Sequence, residues 1–264
     1  MSTHIDPRAV VSPKATVGEN VRIGPFAVIE EDVVIGAGTS VGPNAMIYAG
    51  TRIGKECRIF NGASVGGPPQ DLKFKGETTY LEIGDRTVIR EFATLNRATG
   101  ESGVTRVGSD CLLMAYTHVA HDCQLGNHVI LANCAALGGH VVMGDYAIIG
   151  GLTPVHQFVH IGEHSMIGGG FRVPKDVPPF VLAGDDPLGF ERLNLLGLRR
   201  RGFSNKVIEL LDLVYRTLYK SNLNVSQAVQ KIRNEVELVP EVQRVLDFIA
   251  ESKRGIIPAA GRRD

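Results

Sequence analysis

The chain has 264 residues, 44% of them hydrophobic and 21% charged, so it can bury a substantial core and is not intrinsically disordered. Lysine plus arginine and aspartate plus glutamate each total 28, which excludes a global field that would recruit nucleic acid or an anionic membrane. No stretch has the length of a transmembrane segment or the basic and apolar run of a targeting peptide, and we expect a soluble cytoplasmic protein.

From Ile5, every sixth residue to Val65 is aliphatic, eleven in succession: Ile5, Val11, Val17, Ile23, Ile29, Ile35, Val41, Ile47, Ile53, Ile59 and Val65. The phase skips Asp71 and Glu77, resumes at Ile83, Ile89 and Leu95, skips Glu101, and then runs unbroken from Val107 to Val173. Six is a multiple of the strand period of two, so every marked residue returns to the same side of an extended chain, with one turn per hexad. Glycine often follows the marked residue, as at Gly18, Gly36, Gly108 and Gly150, where we expect it to supply backbone freedom for the corner. Two positions before it stands a small or β-branched residue such as Ala27, Thr39 or Ala135, and Cys57, Cys111 and Cys123 occupy that slot. These cysteines therefore read as small buried hydrophobes, with no metal or redox spacing. The pattern predicts a parallel β-helix in which three hexads make one triangular coil and the aliphatic column fills the interior.

Two polar, turn-rich breaks, at about 66–82 and 96–106, predict loops extruded from this prism, and loops on a rigid scaffold are where function concentrates. A proline-rich crossing follows Val173. From about Glu191 the spacing becomes helical, with one face formed by Val207, Leu210, Leu211, Val214, Tyr215 and Leu218 after a Ser204 cap. A second face runs from Val225 to Val236, and a further helix starts near Pro240. We place the prism at 1–184 and a helical domain at 185–264. The latter holds 14 basic and 11 acidic residues, with Arg199, Arg200 and Arg201 as its densest positive point.

Five of the eight histidines lie within the 39 residues from 118 to 156, and His118, His121, His140 and His156 among them draw attention. Counting coils of eighteen predicts that they share one vertical edge. Three readings fit such a cluster: a polar ladder on a wet face, a zinc site of neutral imidazoles, or a catalytic base oriented by a neighbour.

The run HVAHDCQLGNHVILANCAALGGHVVMGDYAIIGGLTPVHQFVHIG, with QDLK in the first loop and GLRRRGFS after the prism, closely resembles the family of bacterial acyl-acyl-carrier-protein:UDP-N-acetylglucosamine O-acyltransferases. These interrupted motifs are more specific than a bare hexad, and the resemblance covers nearly the whole chain. It implies an all-β left-handed parallel β-helix, a hexapeptide-repeat prism, followed by a small α-helical C-terminal domain. It also implies a homotrimer and, as activity, transfer of a 3-hydroxyacyl chain from acyl carrier protein to the sugar 3-hydroxyl of UDP-N-acetylglucosamine, the first step of lipid A synthesis, without metal or cofactor. The related N-acyltransferase that takes an amine acceptor shares the fold. By position in the motif, His121 resembles the general base, Asp122 its acidic partner, and Gly139 the residue whose backbone N–H steadies the thioester oxyanion. Likewise His118, His140, His156 and Gln157 resemble the lining of the nucleotide-sugar site, Asp71 and Lys73 the loop that reaches it, and Asn194 and Arg201 the C-terminal nucleotide contacts. Gly169 matches the acyl-chain ruler; Arg199 and Arg200, in the densest positive run of the chain, are expected to meet a carrier protein that is acidic in this family.

Overall fold

The structure, a computed structural model, describes residues 2–261. Short strands stack into three sheets, of eleven, eight and eight strands, parallel except for the last pair, and as far as Met166–Ile167 consecutive strands fall on successive sheets. This is a left-handed parallel β-helix. The register advances by eighteen residues per coil, pairing Ile5 with Ile23 and Leu131 with Ile149. Across the first break Ile59 pairs with Ile89, thirty positions on, and across the second Ile89 pairs with Leu113, twenty-four on. The loops thus add twelve and six residues. Both are multiples of six, which is why the aliphatic phase survives them. Strands Ser64–Gly67 and Tyr80–Ile83 bound the first loop, and Thr94–Asn96 and Val104–Val107 the second. Pairing therefore extends slightly into both segments expected to be loop.

The marked column is buried from Ile23 to Val173, whereas Ile5 in the first coil is 42% exposed because no coil lies beneath it. Cys57, Cys111 and Cys123 are buried, and burial pushes the Cys111 thiol up to about 11 and the Cys123 thiol to about 12. Thiols that stay protonated are poor nucleophiles, consistent with a packing role.

The expected role of the glycines is corrected by the backbone. The left-handed conformation falls three residues after the marked position, mostly on residues other than glycine: Asn44, Asp122, His140, Tyr146, Phe158 and His164 all have φ between 55° and 64°. Many of these corner N–H groups donate to a carbonyl of the preceding coil, as His140 N does to His121 O at 3.1 Å and Phe158 N to Gly139 O at 3.0 Å. This bond offsets the strain of a left-handed non-glycine residue, about 1–2 kcal/mol. The glycine after the marked residue serves close approach instead: a β-carbon on Gly108 would stand 2.3 Å from Gly126 O in the next coil.

The helical expectation from Glu191 is also corrected. Gly189–Leu193 is a strand, antiparallel to Val181–Gly184, and this hairpin closes the largest sheet. Four helices follow among the described residues: α1 Leu195–Arg200, α2 Asn205–Lys220, α3 Val225–Glu235 and α4 Pro240–Glu251. Ser204 caps α2 by accepting from Val207 N, Asn224 and Gln227 form a reciprocal cap on α3, and proline opens α4. No helix among the described residues is long and apolar enough to cross a membrane.

Candidate active site

Asp122 occupies a left-handed corner with φ 61°, its N–H donating to Thr105 Oγ1 at 2.8 Å and its side chain fully buried. His121 directly precedes the corner, and its Nδ1 lies 2.7 Å from Asp122 Oδ2. Burial pushes the carboxyl up, but hydrogen bonds from Ser102, His121 and Thr99 outweigh it and hold Asp122 below the ordinary carboxylate range. An ionised carboxylate can only accept, so Nδ1 of His121 carries the proton. Its Nε2 is left as a lone-pair acceptor.

His121 lies on the wall of a cavity of about 770 Å³, lined also by Asp71, Lys73 and Phe74 of the first loop, Thr99 and Glu101 of the second, and His140, Gln157 and Phe158 of the prism. His140 meets the edge of the His121 ring with centroids 5.3 Å apart and stacks on Phe158 at 4.5 Å. Its Nε2 stands 3.7 Å from Asp122 Oδ2 and 3.9 Å from Glu101 Oε2. The candidate ligand atoms of His121, Asp122 and His140 lie within 4.8 Å of one another, a spacing that a metal ion could also use.

The expectation that four histidines share one edge is corrected. Relative to the nearest marked residue they occupy different slots of the hexad, and adjacent slots of an extended chain face different ways. Only His121 and His140 converge. His118, on the strand His118–Val119, is paired through Nδ1 with Thr94 Oγ1 at 2.7 Å, and burial holds it below the usual histidine range. His156 Nδ1 donates to Gln157 O at 2.9 Å.

Other expected residues stand apart from the cavity in this single chain. Asn194 caps α1, accepting from Gly197 N at 3.2 Å and donating to His164 O at 2.9 Å. Arg201 lies over the Tyr146 ring at 4.8 Å, and Arg199 and Arg200 are exposed in the last turn of α1. Gly169 packs on its neighbouring coil, where an added β-carbon would meet Gly151 O at 3.0 Å. Gly139 lies under His121, and a β-carbon there would stand 2.6 Å from His121 Cε1.

Sequence reasoning missed Phe158, Thr99, Glu101 and Ser102 as site residues. Phe158 could have been found by counting eighteen from His140 at the corner slot. The loop residues carry no periodic signal, and only their place in an extruded break marks them.

The family pattern described as the second domain of UDP N-acetylglucosamine O-acyltransferase matches residues 176–257. The bacterial transferase hexapeptide pattern matches 2–31, 32–67 and 105–139. The acyl-acyl-carrier-protein–UDP-N-acetylglucosamine O-acyltransferase of Leptothrix cholodnii is 48% identical over 260 residues, covering 96% of this chain and 98% of that one. Among solved structures, the UDP-N-acetylglucosamine acyltransferase of Bacteroides fragilis superposes with a TM-score of 0.94 at 47% identity, over 96% of this chain and 99% of that one. The Francisella novicida UDP-N-acetylglucosamine acyltransferase gives 0.94 at 36% identity, over 97% and 95%. The repeat, the loops and the helical segment all match together, and this chain belongs to the acyl-acyl-carrier-protein–UDP-N-acetylglucosamine O-acyltransferase family.

Proposed function

We propose that this chain transfers a (R)-3-hydroxyacyl group from acyl carrier protein to the 3-hydroxyl of UDP-N-acetylglucosamine, the first step of lipid A synthesis, with His121 as general base. The observation that carries the reading is the 2.7 Å bond from His121 Nδ1 to buried Asp122, which fixes the tautomer and leaves Nε2 free on the cavity wall. Nε2 takes the proton from the sugar hydroxyl as its oxygen attacks the thioester carbonyl. Asp122 stabilises the resulting imidazolium without accepting its proton. The carbonyl oxygen becomes an oxyanion, and in this reading the backbone N–H of Gly139 donates to it. Collapse forms the ester and expels the carrier thiolate, which takes the proton back from His121.

Asp71, Lys73, His140 and Gln157, on the same cavity, hold the nucleotide sugar in this reading, together with His118, His156, Asn194 and Arg201. Gly169 bounds the acyl groove, and Arg199 and Arg200 meet the carrier protein. We further propose a homotrimer acting in the cytoplasm, in which residues distant from this cavity complete the site of an adjoining copy. The test is acyl transfer from a hydroxyacyl carrier-protein thioester to UDP-N-acetylglucosamine, with the 3-amino analogue assayed beside it. No ester product with the hydroxyl acceptor would overturn the reading.

A further inference from the structure

The second extruded loop does more than line the cavity. Asp122 takes hydrogen bonds from two of its residues: Thr99 Oγ1 donates to Oδ2 at 2.8 Å, and Ser102 Oγ makes a short bond to Oδ1. Thr99 N adds contacts of 3.3 and 3.2 Å to the two oxygens. Together with His121 Nδ1, these bonds occupy both carboxylate oxygens of a side chain with no exposed surface, while the Asp122 backbone N–H is anchored separately on Thr105 Oγ1. Ser102 Oγ also lies 3.2 Å from Val104 O, but the charged carboxylate is the stronger acceptor for its single proton.

We propose that Thr99 and Ser102 are positioning residues of the transfer reaction: their hydroxyls hold the Asp122 carboxylate ionised and turned toward His121 Nδ1. A carboxylate at this depth needs donors to remain charged, and the prism supplies only His121, with His140 Nε2 farther off at 3.7 Å. The loop supplies the rest. A loop displaced from the prism would leave Asp122 free to turn or to take up a proton, and His121 would lose its fixed tautomer. The loop that forms one wall of the cavity therefore also arms the base.

This inference rests on His121 being the base, so the experiment measures both. Steady-state transfer is assayed across pH for wild type, Thr99→Val, Thr99→Ser, Ser102→Ala, Thr99→Val with Ser102→Ala, and His121→Ala, with melting temperatures recorded for each. The expected result is a fall in kcat of about tenfold to a hundredfold for Thr99→Val and Ser102→Ala, the loss typical of a removed charge-assisted hydrogen bond. KM for the nucleotide sugar should change little, and Thr99→Ser should restore kcat. The acid limb of the double variant should move to higher pH, because a carboxylate without its donors is protonated more readily.

A purely structural tie between loop and prism would lower the melting temperature and raise KM while leaving kcat and the pH profile in place. That result overturns the inference. If His121→Ala retains turnover, the reading of the base fails. If His121→Ala is inactive while the hydroxyl variants match wild type in kcat and pH profile, only the inference fails.

Discussion

The imidazole of His121 rests directly on the α-carbon of Gly139, leaving no room for a side chain: a β-carbon would stand 2.6 Å from Cε1 and 2.8 Å from Nε2. Gly139 is not in the left-handed region, so its requirement is space. Gly139→Ala should push a ring that Asp122 anchors, either breaking the 2.7 Å bond or turning Nε2 away from the cavity. We expect kcat/KM to fall by about tenfold or more with little change in melting temperature, since a 1 Å misplacement at the reacting atoms can cost that much. A folded Gly139→Ala protein with wild-type turnover would show that the ring has another position in which to work.

A second prediction concerns a histidine outside the cavity. His164, nearly buried, stacks between Tyr146 at 4.8 Å and Phe180 at 5.7 Å. Burial first, and the nearby Arg201 and Arg244 guanidinium groups second, hold it down at about 4. The unfolded chain takes up this proton near pH 6.5, so stability is present above that value and is lost as pH falls toward 4. Denaturant midpoints at pH 7 and pH 4.5 should differ less in His164→Phe, which keeps the stack and removes the titration. Equal pH dependence in the two proteins would place the acid sensitivity elsewhere.

The prism was legible because its signal repeats: 23 positions from Ile23 to Val173 keep the phase and all are buried. The corners were less legible. Asn44, Glu56, Cys134 and Leu152 all adopt a left-handed backbone, and no single residue type marks that slot, because a hydrogen bond to the preceding coil supports the conformation. Glycine drew attention to the wrong position for the same reason: it is selected by crowding between coils, which sequence distance hides. At the site, His121 and Asp122 were readable as neighbours in a motif. The bonds from Thr99 and Ser102 span 23 and 20 residues with no periodicity to carry them.

A third prediction addresses the metal reading of the same residues. His121, Asp122 and His140 are close enough to share an ion, yet Asp122 already accepts from Ser102, Thr99 and His121. Coordination by Asp122 would compete with those donors. We expect prolonged treatment with a chelator to leave turnover unchanged and added zinc to slow it by capturing the imidazoles. Activity lost to chelator and recovered with metal would move the assignment to a metal centre.

The carrier protein supplies a fourth. Arg199 and Arg200 are exposed in the last turn of α1, in a segment whose charge is net positive, with 14 basic and 11 acidic residues from 185 to 264. Acidic carrier proteins should associate more weakly as salt rises and with Arg200→Glu, through a higher KM for the acyl donor and a slower on-rate. A donor KM unmoved by either treatment would leave these arginines as a solvated charge run.

The account turns on the base, and the most direct measurement is single-turnover acyl transfer by His121→Ala at saturating substrates. Its side chain lies outside the aliphatic column, so the variant should fold and bind the nucleotide sugar with near wild-type affinity. Transfer should slow by about a hundredfold or more, the contribution of a positioned base, and added zinc should not restore it. In the wild type the rate should fall toward acid pH, since only the unprotonated imidazole can accept the proton. Near-normal transfer by folded His121→Ala would contradict the account.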